Sequence, residues 1–191
     1  LGGALADEKV AREFLEIIDY EAERLILLIN DLLDLSRAEN ISRLEKEVFS
    51  LDGLLEDSLS LLDKKIEEGQ IDLSLFSDGP LEITANRDLM KQVLINILDN
   101  ALKYNKKPGR IEIEISKGVR SLVIRDGGLG IKAEDLERIF ERFYRVDRAR
   151  SQTIKGTGLG LSIVKHILDK HGFTFEIRSQ ENIGTEFIIY F

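Results

Sequence analysis

The chain contains no cysteine and no tryptophan, and it has two prolines and two histidines among its 191 residues. Without cysteine there is no disulfide framework, no thiol nucleophile and no zinc–thiolate cluster. The two histidines, His166 and His171, leave little for a histidine-based metal site. A formal net charge of −8 argues against a general nucleic-acid-binding protein, so nucleic acid is not an expected partner.

The sequence also lacks a run of about 18 apolar residues and a recognisable signal peptide. Hydrophobic residues (43%) and charged residues (32%) occur in proportions that are usual for a globular protein. The length suits one domain with an appendage. We therefore expect a cytoplasmic segment, with any membrane anchor in segments upstream of it.

Asp88–Tyr104 is the segment around which the rest of the chain is organised, because it predicts a helix with two different faces. Its apolar face can pack on a sheet and consists of Met90, Val93, Leu94, Ile97, Leu98, Ala101 and Leu102. The opposite stripe consists of Gln92, Asn96, Asp99, Asn100 and Lys103. Amide oxygens suit a hard cation and an ammonium group suits phosphate, so this stripe indicates a site for a metal-bound polyphosphate. Asparagine also serves as a helix cap or a surface polar group.

Two glycine-rich segments lie further along the chain. In the first, DGGLG, Asp126 follows a predicted strand, and its carboxylate can accept a hydrogen bond from an exocyclic amine such as that of adenine. Gly128 and Gly130 let the backbone approach a base or adopt positive φ. The second, GTGLG (156–160), comes directly before a helical pattern, where backbone amides and the helix dipole favour phosphate. The order of these segments fits neither a Walker A loop nor a dinucleotide fingerprint, and a glycine loop alone is more often a simple turn.

The remaining pattern divides the chain into three parts. Residues 1–40 read as a turn, with Asp7 as N-cap, followed by a long helix from Glu8 to about Ala38. Its two neighbouring apolar stripes favour an oligomerising helical bundle over the alternative of a helix packed on the following domain. Residues 41–46 read as a linker. In residues 47–191, one helix over Asp52–Glu68, the central helix and later hairpins predict a mixed α+β sandwich.

Four motifs resemble those of sensor histidine kinases from about Phe49 to Phe191. QVLINILDNALKY resembles their N box, DGGLGI their G1 box, IFERFYRVDRARS their F box and GTGLGLSIVKHI their G2 box. The same nucleotide-binding fold occurs in DNA gyrase, heat-shock chaperone ATPases and mismatch-repair ATPases. The resemblance implies a two-layer α/β sandwich, with a mixed sheet packed on helices. The helix that ends LLINDLLDLSRAEN resembles the second helix of the kinases' dimerisation and phosphotransfer domain.

The resemblance also implies roles for individual residues. Asn100 would hold Mg²⁺ with support from Asn96, Lys103 would contact phosphate, and Asp126 would bind the adenine amine. Arg145 would approach the terminal phosphate of ATP from a lid over residues 131–155, whose base Phe140 and Phe143 would pin. The other implied ATP contacts are Tyr104, Gly128, Gly130, Ile131, Lys155, Gly156, Thr157, Gly158, Leu159, Gly160 and Leu161. The sequence also departs from the family pattern: Gly127 stands where asparagine is common, Asn86 stands where aspartate is usual, and NIGT (182–185) keeps only part of the usual last glycine motif.

The implied activity is transfer of the ATP γ-phosphate to a histidine, and then to an aspartate on the receiver domain of a response regulator. The acceptor motif, histidine followed by an acidic residue and Arg/Thr-x-Pro, is absent from this sequence, so His166 and His171 are interpreted as structural. The expected partners are the receiver domain, the protein's own phosphotransfer helix and, when intact, a second copy in a homodimer.

Three alternatives stay open. An ATP-hydrolysing relative would usually carry glutamate where Asn96 stands, and an amide cannot act as the base. A non-catalytic nucleotide-binding or dimerisation module is disfavoured by Asn100 and Asp126, although the missing acceptor favours it. A serine kinase of the anti-sigma type is disfavoured by the long first helix.

Overall fold

The computed structural model describes residues 8–40, 44–146 and 156–191. The predicted N-cap Asp7, the turn over 1–7, part of the linker (41–43) and much of the predicted lid (147–155) lie outside the described residues. In chain order the helices are α1 (Glu8–Asn40), α2 (Leu51–Ser60), α3 (Asp63–Gly69), α4 (Arg87–Lys103) and α5 (Gly160–His171). The strands are β1 (Glu47–Ser50), β2 (Ile71–Ser77), β3 (Glu82–Ala85), β4 (Gly109–Ser116), β5 (Ser121–Asp126), β6 (Thr174–Gln180) and β7 (Gly184–Tyr190).

Five strands form the main sheet, in the order β2-β4-β5-β7-β6. β2 and β4 run parallel, and the other neighbouring strands are antiparallel. β1 and β3 form a separate two-stranded antiparallel sheet. Strand β4 buries Ile111, Ile113 and Ile115 and turns Glu112 and Glu114 to the other face, as its alternating sequence requires. The mixed α+β sandwich predicted from the sequence is confirmed.

Helix α4 packs against α2, α5 and β5 at the centre of the domain. Its buried face consists of Leu89, Met90, Val93, Leu94, Ile97, Leu98 and Ala101. Asn86 caps the helix, because its Oδ1 accepts the Leu89 N–H at 3.0 Å. The Asn86 side-chain NH₂ also donates to the Glu45 carbonyl at 3.1 Å, a bond that an aspartate could not donate. The departure from the family pattern at this position thus ties the segment before β1 to the start of α4.

The prediction of one helix over Asp52–Glu68 is wrong, because the chain forms α2 and α3 with a break at Leu61 and Leu62. Ser58 and Ser60 near the end of α2 donate their hydroxyls to carbonyls four residues earlier, at 2.7 Å and 3.0 Å. Such bonds weaken and bend helices. The turn buries Leu62, of which 4% is exposed, and redirects α3 towards α4.

Helix α1 meets the rest of the protein at its C-terminal end. Leu35 is 4% exposed and belongs to the main core, and the Lys170 Nζ on α5 donates to the Glu39 carbonyl at 2.9 Å. The C-terminal end of α1 therefore packs on the following domain, which is the alternative that the sequence analysis disfavoured. Further towards the N-terminus the apolar stripes are exposed, with Phe14 at 54% and Ile18 at 62%. The bundle predicted for this part stays a prediction. No helix in the described ranges is long and apolar enough to cross a membrane.

His171, the last residue of α5, has both ring nitrogens occupied. Its Nε2 accepts the Asn86 N–H at 3.0 Å, and its Nδ1 lies 2.7 Å from the Ile167 carbonyl oxygen, to which it donates. These two bonds require the neutral ring with the proton on Nδ1. Burial lowers the pKa of His171, and the nearby Lys46 ammonium lowers it further. The ring is therefore a structural element that joins α5 to the start of α4.

We expect this histidine to make the domain less stable in mild acid. The unfolded chain binds the proton more tightly, so the free energy of unfolding falls as pH drops below the unfolded pKa of about 6.5, by up to about 1.4 kcal/mol per pH unit. The loss levels off below the folded pKa. Thermal melts between pH 8 and pH 5 would measure the slope. His171→Gln should remove most of it, whereas His166→Gln should retain it; equal slopes in both variants would contradict the assignment.

Candidate functional site

A cleft of 1210 Å³ lies between α4, the DGGLG loop, the start of α5 and the side of α1. The whole polar stripe of α4 lines it, namely Gln92, Asn96, Asp99, Asn100 and Lys103. The opposite face of α4 is buried in the core, so the apolar face packs as predicted and the polar stripe lies along the cleft. Both glycine segments also reach this cleft, with Asp126 and Gly130 from the first and Gly156 to Gly158 from the second.

Asp126 ends strand β5 and lines the cleft. Its Oδ1 accepts the Gly128 N–H at 2.9 Å, which closes the turn that follows the strand. Burial raises the pKa of Asp126, although hydrogen bonds from the Gly128 and Thr185 amides oppose the rise. Oδ1 is therefore fixed by the protein, and a partly desolvated carboxylate faces the cleft as an acceptor.

Gly128 and Gly130 allow close backbone contacts that a side chain would prevent. A Cβ on Gly128 would overlap the carbonyl oxygen of Tyr104, to which the Leu129 N–H donates at 2.9 Å. Gly130 has φ +65°, and a Cβ there would overlap the carbonyl oxygen of Gln180. The loop is thus packed backbone to backbone against the end of α4 and the β6–β7 turn. Tyr104 takes part through its main chain, while its side chain is 37% exposed.

Gly130→Ala is expected to destabilise the domain by about 3 kcal/mol or more, since about 1–2 kcal/mol comes from the left-handed backbone and the rest from overlap with Gln180. Gly172 is a matched control, because it has φ +77° but open space around its Cβ position. Gly172→Ala should therefore show the backbone cost alone. Urea unfolding of both variants measures the difference. Equal losses would mean that the loop moves away freely from the β6–β7 turn.

The neighbouring ends of β6 and β7 supply residues that could not be identified from the sequence. Ser179 Oγ accepts the Ile131 N–H at 2.8 Å and lies 2.9 Å from Thr185 Oγ1 on the neighbouring strand. Thr185 in turn donates its amide to Asp126. The partial glycine motif NIGT (182–185) was the available signal, but the pairing of Ser179 with Thr185 depends on the strand register.

At the other end of the cleft, α4 approaches the first turn of α5. A Cβ on Gly160 would lie 3.2 Å from Asn96 Oδ1, so glycine lets the amide of Asn96 sit against the start of α5. Leu159 is buried and Leu161 is half-buried, and both hold this turn against the domain. The amide of Asn96 and the N-terminus of a twelve-residue helix therefore meet at one place, which suits a phosphate group with its cation.

Lys103 is held by Asp99, one helical turn earlier, and Asp99 also binds Lys65 from α3. The Lys65 Nζ lies 2.6 Å from Asp99 Oδ1, while the Lys103 Nζ contacts Oδ2. Burial alone would raise the pKa of Asp99, but the two ammonium groups lower it, and the net shift is downwards. Asp99 is therefore an ionised carboxylate between two cations. Lys65 was not identified from the sequence.

The base of the predicted lid is tied together by main-chain contacts. Phe140 packs against Phe175 with ring centroids 5.3 Å apart and the ring planes tilted by 56°. Phe143 differs from the prediction: its side chain is 54% exposed, and it has φ +64°. Its N–H donates to the Gly158 carbonyl at 2.9 Å. The backbone of Phe143, rather than its ring, therefore joins the base of the lid to the second glycine segment. The side chain of Arg145 adds to these contacts, because its Nη1 donates to the Gly156 carbonyl at 2.7 Å.

Tyr144 and Asp135 add a second tie at the lid base. The Tyr144 hydroxyl donates to Asp135 Oδ1 at 2.5 Å, and the Arg138 guanidinium lies 4.1 Å from the Tyr144 ring centroid. The bond to Asp135 raises the pKa of Tyr144. Both residues line the cleft. Lys155, a predicted ATP contact, lies outside the described residues.

Helix α1 also contributes to the cleft. The Thr157 hydroxyl donates to the Asp31 carboxylate, and Asp31 and Asp34 both line the cleft. Burial raises the pKa of Asp31, whereas the Thr157 bond and the charge of Lys103 lower it. A side chain from the first helix thus faces the groups predicted to bind phosphate. No local sequence pattern indicates this contact.

The family model described as histidine kinase-, DNA gyrase B- and HSP90-like ATPase matches residues 85–191. The chain therefore belongs to this family of ATP-binding domains. Drug sensory protein A of Synechocystis sp. is 38% identical over 92% of this chain and 28% of that protein. Sensor protein kinase WalK of Staphylococcus aureus is 34% identical over 98% of this chain and 46% of that protein. The chain spans less than half the length of these curated relatives.

Solved structures of histidine kinases have the same fold. The nucleotide-free catalytic domain of histidine kinase ThkA is 32% identical with a TM-score of 0.66, over 76% of this chain and 93% of that one. Histidine kinase ThkA in complex with response regulator protein TrrA is 28% identical with a TM-score of 0.72, over 96% of this chain and 51% of that one. Within the family, this chain therefore holds the ATP-binding catalytic domain of a sensor histidine kinase, which confirms the resemblance seen in the four motifs.

Proposed function

We propose that this domain binds Mg-ATP in the 1210 Å³ cleft and transfers the γ-phosphate to a histidine on a phosphotransfer helix outside this sequence. The phosphate would then pass to an aspartate on a response regulator. The observation that carries the proposal is the set of groups that line one cleft: a fixed acceptor, Asp126, at the end of β5, together with amide side chains, a lysine and a helix N-terminus. The acceptor suits the amine of a base, and the other groups suit phosphates with their cation.

The adenine end depends on Asp126. Its second carboxylate oxygen would accept from the exocyclic amine of adenine, while Oδ1 stays bonded to Gly128. Gly128 and Gly130 let the backbone of the loop approach the plane of the base. The side chain of Tyr104 lines the same cleft and would pack beside the nucleoside.

At the phosphate end, Asn100 with support from Asn96 would hold Mg²⁺, which when bound neutralises charge on the phosphates. Lys103 would contact a phosphate oxygen, and the amides after Gly158 would receive phosphate at the start of α5. Arg145 would reach the terminal phosphate from the base of the lid. Phosphoryl transfer needs little covalent chemistry from the protein, so these residues act by positioning and by charge stabilisation.

The two histidines of the chain are poor acceptors. Both nitrogens of His171 are engaged, and His166 Nε2 is buried. The sequence contains no acceptor motif, so the acceptor must be supplied by another segment. A response regulator is the proposed final partner, which is supported by the structure of histidine kinase ThkA with TrrA.

The direct test is incubation with ATP labelled in its γ-phosphate. The chain alone should bind nucleotide by calorimetry but take up no label, whereas a separately supplied phosphotransfer domain with its acceptor histidine should become labelled in an acid-labile form. Asn100→Asp in the same assay should reduce the transfer. Stable label on His166 or His171 would refute the proposal, as would rapid release of free phosphate in the absence of an acceptor.

A further inference from the structure

A lysine from outside the four motifs reaches the phosphate end of the cleft. Lys65 belongs to α3 and lies 34 residues before its partner Asp99, yet it lines the cleft beside Lys103. Each lysine bonds a different oxygen of Asp99, at 2.6 Å for Lys65. The carboxylate therefore holds two ammonium groups at the same point of α4, next to Asn100.

The charges of this group do not cancel. Two ammonium groups share one carboxylate, which leaves one net positive charge on this wall of the cleft. Asp99 is 18% exposed and Lys103 is 30% exposed, so solvent screens them only in part. Across the cleft, Asp31 of α1 faces Lys103. An anion that displaced the Asp31 carboxylate would face Lys103 and, beside it, Lys65.

Stability alone is a weak reason for this arrangement. The side chain of Lys65 is 54% exposed, and ion pairs of such exposed lysines contribute little to folding. The arrangement has a clear electrostatic effect, however, because it fixes a second flexible ammonium group close to Asn100 and Lys103. A lysine acts on phosphate as a mobile point charge, and a fixed partner reduces the entropy that is lost on binding.

We propose that Lys65 is a second phosphate-binding cation of the nucleotide site and that Asp99 is a positioning residue for Lys65 and Lys103. The ligand is the polyphosphate of the nucleotide, so the inference rests on the proposed function. Lys65 contacts the phosphates from the α3 side, where the four motifs provide no cation. Asp99 acts through the lysines and does not contact the nucleotide.

Lys65→Gln tests the first part, with Lys64→Gln as a matched control. Lys64 lies on the same helix and is 87% exposed, and it pairs with Glu68 outside the cleft, so both variants change the net charge equally. Calorimetry with adenosine, ADP and ATP should show that Lys65→Gln leaves adenosine affinity unchanged. ADP and ATP affinity should fall by about three- to tenfold, and the loss should shrink at high salt.

Asp99→Asn tests the positioning role. Without the carboxylate the lysines lose their competitor, so ADP affinity should be kept or increased. The rate of phosphate transfer at saturating ATP should fall by about tenfold, because the lysines are no longer held in place. A residue with a merely structural role would lower the melting temperature and leave transfer at saturating ATP unchanged.

The outcomes separate this inference from the proposed function. If the unaltered chain fails to bind ADP, the proposed function is wrong. If it binds ADP and the two lysine variants bind with the same affinity, Lys65 is not a phosphate ligand and the inference is overturned. If Asp99→Asn retains full transfer at saturating ATP, Asp99 has no positioning role.

Discussion

Replacing Asp126 with asparagine is expected to weaken ADP binding by about 100-fold, because a charged acceptor is lost and amide hydrogens then face the adenine amine. The fold should not suffer. The asparagine Oδ1 can still accept the Gly128 N–H. Because burial raises the pKa of Asp126, the ionised carboxylate destabilises the folded state at pH 7.5, and a neutral amide removes that cost.

The measurement is calorimetric titration combined with thermal melting. A nucleotide with hypoxanthine in place of adenine serves as a chemical control, since it presents a carbonyl oxygen where adenine presents the amine. The unaltered chain should prefer ADP, whereas Asp126→Asn should lose or reverse that preference. An unchanged preference for adenine would show that Asp126 does not contact the base.

The second large effect is expected for Asn100→Asp, which should lower the rate of phosphate transfer by about 100-fold or more. The added carboxylate still offers oxygen to a cation, but its negative charge repels the phosphates and alters the metal site. Adenosine binding should be unaffected, because the adenine end of the cleft is unchanged. The two substitutions therefore separate base recognition from phosphate chemistry.

Titrations with ADP, with and without Mg²⁺, would measure this second effect together with the transfer assay. Asn30→Asp is a matched control, since it makes the same change at an exposed position of α1 that does not line the cleft. Equal dependence on Mg²⁺ in Asn100→Asp and Asp126→Asn would contradict the division of roles.

Local patterns predicted much of the site. The two faces of α4 could be read from the sequence because helical periodicity places Asn96, Asn100 and Lys103 on one side whatever the tertiary structure. Asp126 and the glycine segments could be placed because each follows or precedes a regular element. In all these cases the residues that determine the geometry are neighbours along the chain.

The features that the sequence did not predict depend on contacts between distant segments or on local hydrogen bonds that compete with regular helix. Lys65 meets Asp99 only because α3 takes a new direction at the end of α2, where two serine hydroxyls bond to backbone carbonyls. Leu35 is buried only because α1 folds back on α5. The exposed ring of Phe143 follows from a left-handed backbone, which hydrophobicity does not reveal in an aromatic residue.

The contact between Asp31 and Thr157 makes the docking of α1 and the binding of nucleotide linked equilibria. Thr157 and Lys103 face the Asp31 carboxylate in this structure. The proposed function gives Lys103 to phosphate, and the family resemblance implies that Thr157 contacts the nucleotide. Two partners that need the same groups weaken each other by the same factor, whichever arrives first. Any upstream event that moves α1 away from α5 would thus increase the affinity of the cleft for nucleotide. Bound nucleotide would in turn weaken the docking of α1 on α5. The coupling between the first helix and the cleft would therefore be reciprocal.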